Sequence, residues 1–349
     1  MPIDRTQLTQ AQSKLIPVSL MIMAVILMVR ALQLTRPFTM PLAFAFFIAV
    51  LVNPLQRWLD QRLPRWLSLI IVLLLLGSIL ALFAGVIELS LELIEPQVPQ
   101  YIEQAQQLAQ TVQTWLRNHG LPTGQNGESN GALSQVFQQA LGSARMALGV
   151  VSAFVMIASF LSLLLLEVAQ YRDRTLQAFP GDTGERIINA VSQMGTKLRR
   201  YFLVVAFTSL LTGIFTGAWC LMVGVELAFV WALLAFILNF IPTLGSLVAA
   251  VVPAIVATLF QGPVTGIITL LGLGVIQTIL GNFVDPKLQG KYLQLSPFIS
   301  LLSIVFWGWV WGIPGAFIGV PMTAAIALLA NEFKAGRPIA IMLGYVDVS

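Results

Sequence analysis

The chain has 349 residues, of which 57% are hydrophobic and 10% charged, and its mean hydropathy is +0.86. Soluble domains carry about 25% charged residues, so this composition excludes a soluble globular protein and indicates an all-α polytopic membrane protein. One cysteine and one histidine exclude a disulfide framework and a Cys/His metal site, and we expect no cofactor. The net charge of +4 is explained by basic residues beside apolar stretches, so no nucleic-acid partner is expected.

Long apolar stretches in the first two thirds of the chain predict membrane-spanning helices, because about 20 apolar residues in a helix cross a bilayer. The predicted spans cover residues 15–34, 37–55, 67–90, 146–168 and 201–223. The segment 91–145 is rich in Gln, with two apolar stripes at helical spacing around a Gly-rich linker, and predicts a two-helix hairpin outside the membrane. The basic segment 170–200 predicts an amphipathic helix at the membrane surface that leads into the fifth span.

The charges of the loops indicate the orientation of the chain, since cytoplasmic loops of membrane proteins are enriched in Lys and Arg. Loops 56–66 and 170–200 are basic, as is the tail with Lys334 and Arg337, whereas the segment 91–145 is acidic. We therefore expect both termini in the cytoplasm and the segment 91–145 outside.

Interrupted apolar segments distinguish the stretch 227–331 from the simple spans before it. Residues 296–329 contain no charge. The stretch is longer than one span of about 20 residues but shorter than two full spans. We predict Pro/Gly-broken, re-entrant-type helical hairpins here and about eight transmembrane segments in all. Broken helices free backbone N–H and C=O groups, and transporters place their substrates at such breaks. This stretch is therefore the predicted transport region.

Polar side chains and the residues that break the helices form the candidate transport pathway. Asn239 and Asn282 lie next to breaks, where an amide can coordinate a polar substrate or simply cap a helix. Asp285 would suit ion coupling, or would form an ordinary loop ion pair with Lys287. Gln277 lies about one turn before Asn282, so both could face one side of a helix. The full set of candidates is Asn239, Pro242, Thr243, Gly245, Gln277, Asn282, Asp285, Pro286, Pro314, Gly315 and Pro321.

We expect residues 239–245 and 308–321 to form two hairpins whose tips meet near the middle of the membrane. A cavity between them, lined by backbone dipoles and amides such as Asn239, would suit a neutral, hydroxyl-rich solute without any buried charge. Gly245 and Gly315 would matter because a side chain there would block close approach of the tips or demand a strained backbone angle.

The carboxyl-terminal third contains a set of short motifs, and Asn53-Pro54-Leu55 ends the second predicted span. The motifs are Leu238-Asn239-Phe240-Ile241-Pro242-x-x-Gly245, Gly281-Asn282-Phe283-Val284-Asp285-Pro286-Lys287-Leu288-x-Gly290, Ser296-Pro297, Trp307-Gly308-Trp309, Gly312-x-x-Gly315 and Val320-Pro321. Together they resemble the AI-2E family of bacterial membrane transporters. The resemblance implies about eight spans in a bacterial plasma membrane and transport of a small molecule or ion. Members of that family are linked to export of autoinducer-2 or to sodium/proton antiport.

Enzyme signatures are missing from the sequence, which contains neither a Gly-x-Ser-x-Gly elbow, nor His-Glu-x-x-His, nor a phosphate-binding loop. The first hypothesis is a non-ATP, secondary transporter that exports a small polar solute such as an autoinducer-2-like signal. The second is a cation/proton antiporter, for which Asp285 is the nearest carboxylate. The third is a membrane scaffold that binds partners through its external hairpin, although a scaffold would not need repeated Pro/Gly breaks.

The plain spans of the amino-terminal part suggest a fixed frame against which the broken region moves, and hence a homo-oligomer. The predicted division is 1–90 with three spans, 91–145 as the external hairpin, 146–226 with two spans and the amphipathic helix, 227–331 as the transport region and 332–349 as a cytoplasmic tail.

The orientation is testable with single cysteines at Ser129 and Ser349, in a chain whose Cys220 is replaced by Ser. An impermeant thiol reagent on intact cells should label Ser129→Cys and leave Ser349→Cys protected. The opposite pattern would overturn the topology that the loop charges predict.

Overall fold

A computed structural model of the chain confirms the predicted all-α membrane architecture, with helices and no strands in the residues that it describes. These are residues 19–20, 23–94, 96, 98–119, 142, 150–242, 244–284, 287–288, 295–332 and 336–343. The second helix predicted for the segment 91–145 lies almost wholly outside the described residues.

The helices follow one another along the chain with short connections. They are α1 Met23–Leu34, α2 Arg36–Asp60, α3 Arg65–Ile94, α4 Val98–Asn118, α5 Val150–Ala178, α6 Asp182–Val223, α7 Ala228–Leu238, α8 Leu244–Gln261, α9 Pro263–Ile279, α10 Pro297–Trp311, α11 Ile313–Glu332 and α12 Arg337–Met342. A π-helical turn, Leu280–Val284, continues α9. Helix α12 forms part of the predicted tail, and it packs on α11 with Ala340 fully buried.

Five of these helices are long and apolar enough to cross a membrane, and α5 makes a sixth if its two parts count as one span. Helix α5 bends by 64° between Val168 and Gln170. The described spans thus reach five or six, and the predicted total of about eight stays a prediction.

Helix α6 is the central element of the molecule. Its amino-terminal half joins a core with α2, α10 and α11, in which Leu198 is fully buried. Its other half packs against α7 and α9 in a second core around Cys220 and Leu273. A third core joins α2, α3 and α5.

The predicted amphipathic helix and fifth span are one uninterrupted helix, α6. It has 42 residues, and at 1.5 Å per residue it is about 63 Å long. No proline interrupts it, and its four glycines, at positions 184, 195, 213 and 217, do not break the helix, because it packs against neighbouring helices along its length. Gly224, with φ of 80°, ends α6 in the left-handed conformation typical of a helix C-terminus.

Two antiparallel helix pairs occupy the predicted transport region. The first hairpin, α7–α8, has one arm of 11 residues, about 16 Å long, which is too short to cross a hydrocarbon core of roughly 30 Å. At its open end the Gln261 side-chain amide donates to the Gly224 carbonyl. The second hairpin is α10–α11. Its second arm reaches spanning length because Pro321 lies inside α11 without ending it.

Arginine side chains satisfy backbone carbonyls where the scaffold helices are interrupted. Pro54 lies inside α2 and has no N–H, so Val50 O loses its ordinary helical partner. Arg199 Nε of α6 donates to that oxygen at 3.2 Å. Near the bend of α5, Arg65 Nη2 donates to Leu166 O at 2.6 Å. Each arginine therefore ties two helices together at a break.

The link between Arg199 and Val50 can be tested with a double-mutant cycle. Arg199→Met leaves the carbonyl without a donor and should lower the free energy of unfolding by about 1–3 kcal/mol. Pro54→Ala restores an N–H at residue 54, so Arg199→Met should cost much less in that background. Unfolding of the purified protein in detergent measures all four variants. Equal losses in both backgrounds would show that Arg199 acts elsewhere.

Candidate transport site

The tip of the first hairpin carries the first group of candidate residues. Helix α7 ends at Leu238, and Asn239 caps it with its side chain turned towards α6. Asn239 Nδ2 donates to Ser209 Oγ at 3.1 Å, and Ser209 is fully buried. Pro242 lies half-buried in the turn that follows, and Thr243 lies outside the described residues. The tip therefore meets α6 through a neutral amide–hydroxyl pair.

Glycine allows each hairpin to fold back tightly on itself. A Cβ on Gly245 would overlap Leu238 O across the first hairpin, and a Cβ on Gly315 would overlap Trp307 O across the second. Neither glycine has a positive φ. The prediction that these residues permit the approach of two tips is therefore corrected, because each permits the approach of the two arms of one hairpin.

The second hairpin turns at Gly312, whose φ is 73°. Pro314 occupies the first turn of α11 and is half-buried, and Pro321 is buried one and a half turns beyond Gly315. Because Pro321 has no N–H, Phe317 O cannot receive its ordinary helical hydrogen bond. A backbone acceptor is thereby freed on α11.

The two predicted stretches meet through one aromatic contact. Phe240, at the tip of the first hairpin, stacks on Phe317 with ring centroids 4.9 Å apart and ring planes at 14°. Ile241, Ile304 and Val320 pack around the same place. The contact is made by the side of α11, since the second tip lies elsewhere, beside Arg36. The first tip therefore reaches the arm with the freed carbonyl, and the expectation that both tips meet is corrected.

Gln277 lies on the face of α9 that packs inside the molecule. Leu273 and Leu280, one turn on either side, are both buried. Gly266 of α9 lies against Ala254 and Thr258 of α8, and the antiparallel pairing of the two helices then brings Gln277 level with the start of α8. Gln277 Nε2 is buried with no hydrogen-bond partner among the described residues. An amide donor is thus available near the first tip.

Asn282 does not share the surroundings of Gln277. It lies in the π-helical turn after α9, and its side chain is exposed. Five residues separate Asn282 from Gln277, and at about 100° per residue this spacing places the two side chains on different faces of the helix. Asp285 and Pro286 lie outside the described residues, so ion coupling through Asp285 stays a prediction.

Four hydroxyl residues on α6 were missed as candidates. Thr208, Ser209, Thr212 and Thr216 are all 1% exposed or less. Thr212 Oγ1 donates to the carbonyl one turn before it, but Thr216 Oγ1 has no partner among the described residues. The signal was available, because Ser or Thr recurs every three to four residues through otherwise apolar sequence.

The site that results is neutral. Residues 201–281 contain a single charge, Glu226, which follows the carboxyl-terminal end of α6. Within the described part of the chain, no group of three or more His, Cys, Asp or Glu residues could hold a metal ion. Amides, hydroxyls and a freed carbonyl can donate and accept hydrogen bonds, so they suit an uncharged polar ligand.

The two hairpin glycines can be tested by adding a methyl group. Gly245→Ala and Gly315→Ala would each force the arms of a hairpin apart and should cost about 1–3 kcal/mol of unfolding free energy. Gly274→Ala is the matched control, since nothing lies within 4 Å of its Cβ position and alanine favours a helix. Thermal unfolding in detergent compares the three. Equal behaviour of Gly245→Ala and Gly274→Ala would contradict the packing argument.

Comparisons with known proteins identify the family of the chain. The family model for AI-2E family transporters matches residues 19–334. The AI-2 transport protein TqsA of Escherichia coli strain K12 is 28% identical over 311 residues, which cover 87% of this chain and 88% of that protein. A protein of Haemophilus influenzae, whose name assigns transport without a substrate, is 28% identical over 340 residues, or 93% of this chain and 95% of its own. With nearly the whole chain matched, the protein belongs to the AI-2E transporter family.

Proposed function

We propose that this membrane transporter moves a small, neutral, hydroxyl-rich solute outward across the bacterial plasma membrane, without ATP and without chemical conversion of the solute. The observation that carries the proposal is the neutral polar group at the first hairpin tip. Asn239 is bonded there to buried Ser209, and the register of α9 against α8 places the unpartnered amide of Gln277 level with the start of α8. A charged substrate would need a counter-charge in such a place, whereas a polyhydroxylated solute needs hydrogen bonds.

The relative from Escherichia coli supports the solute class. Its name states transport of AI-2, and the motifs at Asn239 and Gly315 resemble those of the family to which both chains are similar. We therefore take an autoinducer-2-like signal as the leading solute. The outward direction rests on this resemblance alone.

The proposal includes a moving part and a frame. The first hairpin contacts α6 through small residues: a Cβ on Gly213 would come within 2.8 Å of Ala232 O. Helices α2, α3 and α5 form a separate apolar core. Helices α2, α3 and α5 would form the fixed frame, and such frames would associate into a homo-oligomer in which each copy has its own transport pathway. The orientation with both termini in the cytoplasm completes the proposal.

Solute flux in sealed vesicles tests the function. We expect uptake of an autoinducer-2-like solute into inverted vesicles by the wild-type protein. Asn239→Ala and Gln277→Ala should raise the half-saturating solute concentration by about 2–10-fold, because each removes one neutral hydrogen bond. Thr278→Ala is the control, since that exposed hydroxyl donates to Gly274 O on the outside of α9.

The same vesicles separate the alternatives. Flux that depends on an imposed proton or sodium gradient would identify coupled transport. Cation/proton exchange without any solute flux would replace the proposal with an antiporter. Wild-type kinetics in both Asn239→Ala and Gln277→Ala would contradict the assigned site even if the solute is transported.

A further inference from the structure

Two arginines lie at the turn of the second hairpin. The Arg36 guanidinium packs against Gly312, so that a Cβ on this glycine would be 3.2 Å from Arg36 Nη2. Arg30 Nη1 donates to Gln33 Oε1 at 3.3 Å, and Gln33 Nε2 donates to Trp309 O at 3.5 Å. The end of α1 and the start of α2 thus present two guanidinium groups and an amide beside the hairpin tip.

These guanidinium groups have no carboxylate partner among the described residues. The ion pairs that the structure records join Arg172 to Glu185 and Arg174 to Glu167, on helices α5 and α6. Arg65 and Arg199 donate hydrogen bonds to the backbone carbonyls of Leu166 and Val50. Arg36, by contrast, makes no recorded hydrogen bond in the described part of the chain, and its side chain is exposed. Its five N–H donors are therefore available to a ligand.

The surface around the two arginines is strongly apolar. Leu34 is 82% exposed and Ile313 is 73% exposed, and Phe38 and Trp309 are exposed beside them. In a membrane protein such a surface faces acyl chains. A pair of cations at its edge needs an anion that can lie at the boundary between hydrocarbon and water.

We propose that Arg30, Arg36 and Gln33 bind the phosphate group of a phospholipid whose acyl chains cover the neighbouring apolar surface. Guanidinium groups match a phosphate in a bidentate manner, and the Gln33 amide can add a further hydrogen bond. An anionic lipid is preferred over a zwitterionic one, since a head-group amine would meet two positive charges and no carboxylate. The bound lipid then bridges α1 and α2 to the turn at Gly312.

The lipid site is separate from the proposed solute site. It lies at the second hairpin tip, whereas the solute groups surround the first tip, Phe240 and Gln277. Loss of lipid binding would therefore leave the solute assignment intact, and the reverse also holds.

Native mass spectrometry of the full-length protein tests the proposal with phosphatidylglycerol and phosphatidylcholine. The wild-type protein should retain phosphatidylglycerol more strongly. The double variant R30Q/R36Q should bind it about tenfold or more weakly, because two charge-assisted contacts are lost. The matched control R57Q/R62Q removes the same charge at the other end of α2 and should keep wild-type binding at this site.

Each outcome supports or overturns the lipid site. No preference for phosphatidylglycerol in the wild-type protein overturns it without any variant being needed. Equal losses in R30Q/R36Q and R57Q/R62Q would show unspecific charge attraction and also overturn it. A thermal stabilisation by inorganic phosphate that matches the one given by phosphatidylglycerol would assign the site to a free anion instead. The conservative variant R36K, which keeps the charge but not the planar fork, should bind with intermediate strength.

Discussion

Interrupted helices inside lipid impose the constraint on which this structure depends, because every backbone group freed at a break needs a partner from the protein. The scaffold supplies that partner from arginines, as Arg199 donates to the carbonyl that Pro54 leaves free and Arg65 donates near the bend of α5. The tryptophan at the end of α10 contributes too, since Trp311 Nε1 donates to Leu32 O. At the first hairpin tip the recorded side-chain partner is neutral, the Ser209 hydroxyl. Arginine and tryptophan side chains thus satisfy breaks in the scaffold, and a neutral amide–hydroxyl pair lies at the break that we assign to transport.

Close backbone contacts join the two arms of each hairpin. Gly245 and Gly315 bring the arms of their own hairpins together, and Gly319 extends the contact, since its Cβ would lie 2.9 Å from Ser303 O. Trp307 Nε1 also donates to Thr323 Oγ1 across the second hairpin at 3.1 Å. Between the hairpins the recorded ring contact is the stack of Phe240 on Phe317. This flat aromatic contact would let the two hairpins move relative to one another, since apolar faces slide without stranding polar groups.

The sequence could predict the breaks because proline and glycine act locally. Pro242 and Gly312 interrupt apolar stretches by their own backbone chemistry, and the turns fall where these residues stand. The side chains that bond to the freed backbone groups and polar side chains at these breaks come from distant parts of the chain, so no local sequence pattern predicts them. Ser209 lies 30 residues from the amide that donates to it, and no local pattern pairs Arg199 with Val50. The role of Gly245 was misassigned for the same reason. The sequence shows that a small residue is needed there, but it does not show that the neighbouring group is the Leu238 carbonyl of the same hairpin. The boundaries of the five segments into which we divided the chain, 1–90, 91–145, 146–226, 227–331 and 332–349, stay predictions. The transport role of the candidate residues also stays a prediction.

The distribution of charge separates the two ligands that we propose. A solute site without charges can open and close between hairpins at little electrostatic cost, because no ion has to leave water. An ion pair at the first tip would have to break in every cycle, with one partner left unpaired in a medium of low dielectric. The arginines at the second tip avoid that penalty, since they lie on an exposed surface where lipid phosphates can neutralise them. A lipid held there would fix the turn at Gly312 to α1 and α2, so the second hairpin would be anchored at its tip. The first hairpin, whose tip holds only neutral contacts, is then the one that moves with solute under the function that we propose.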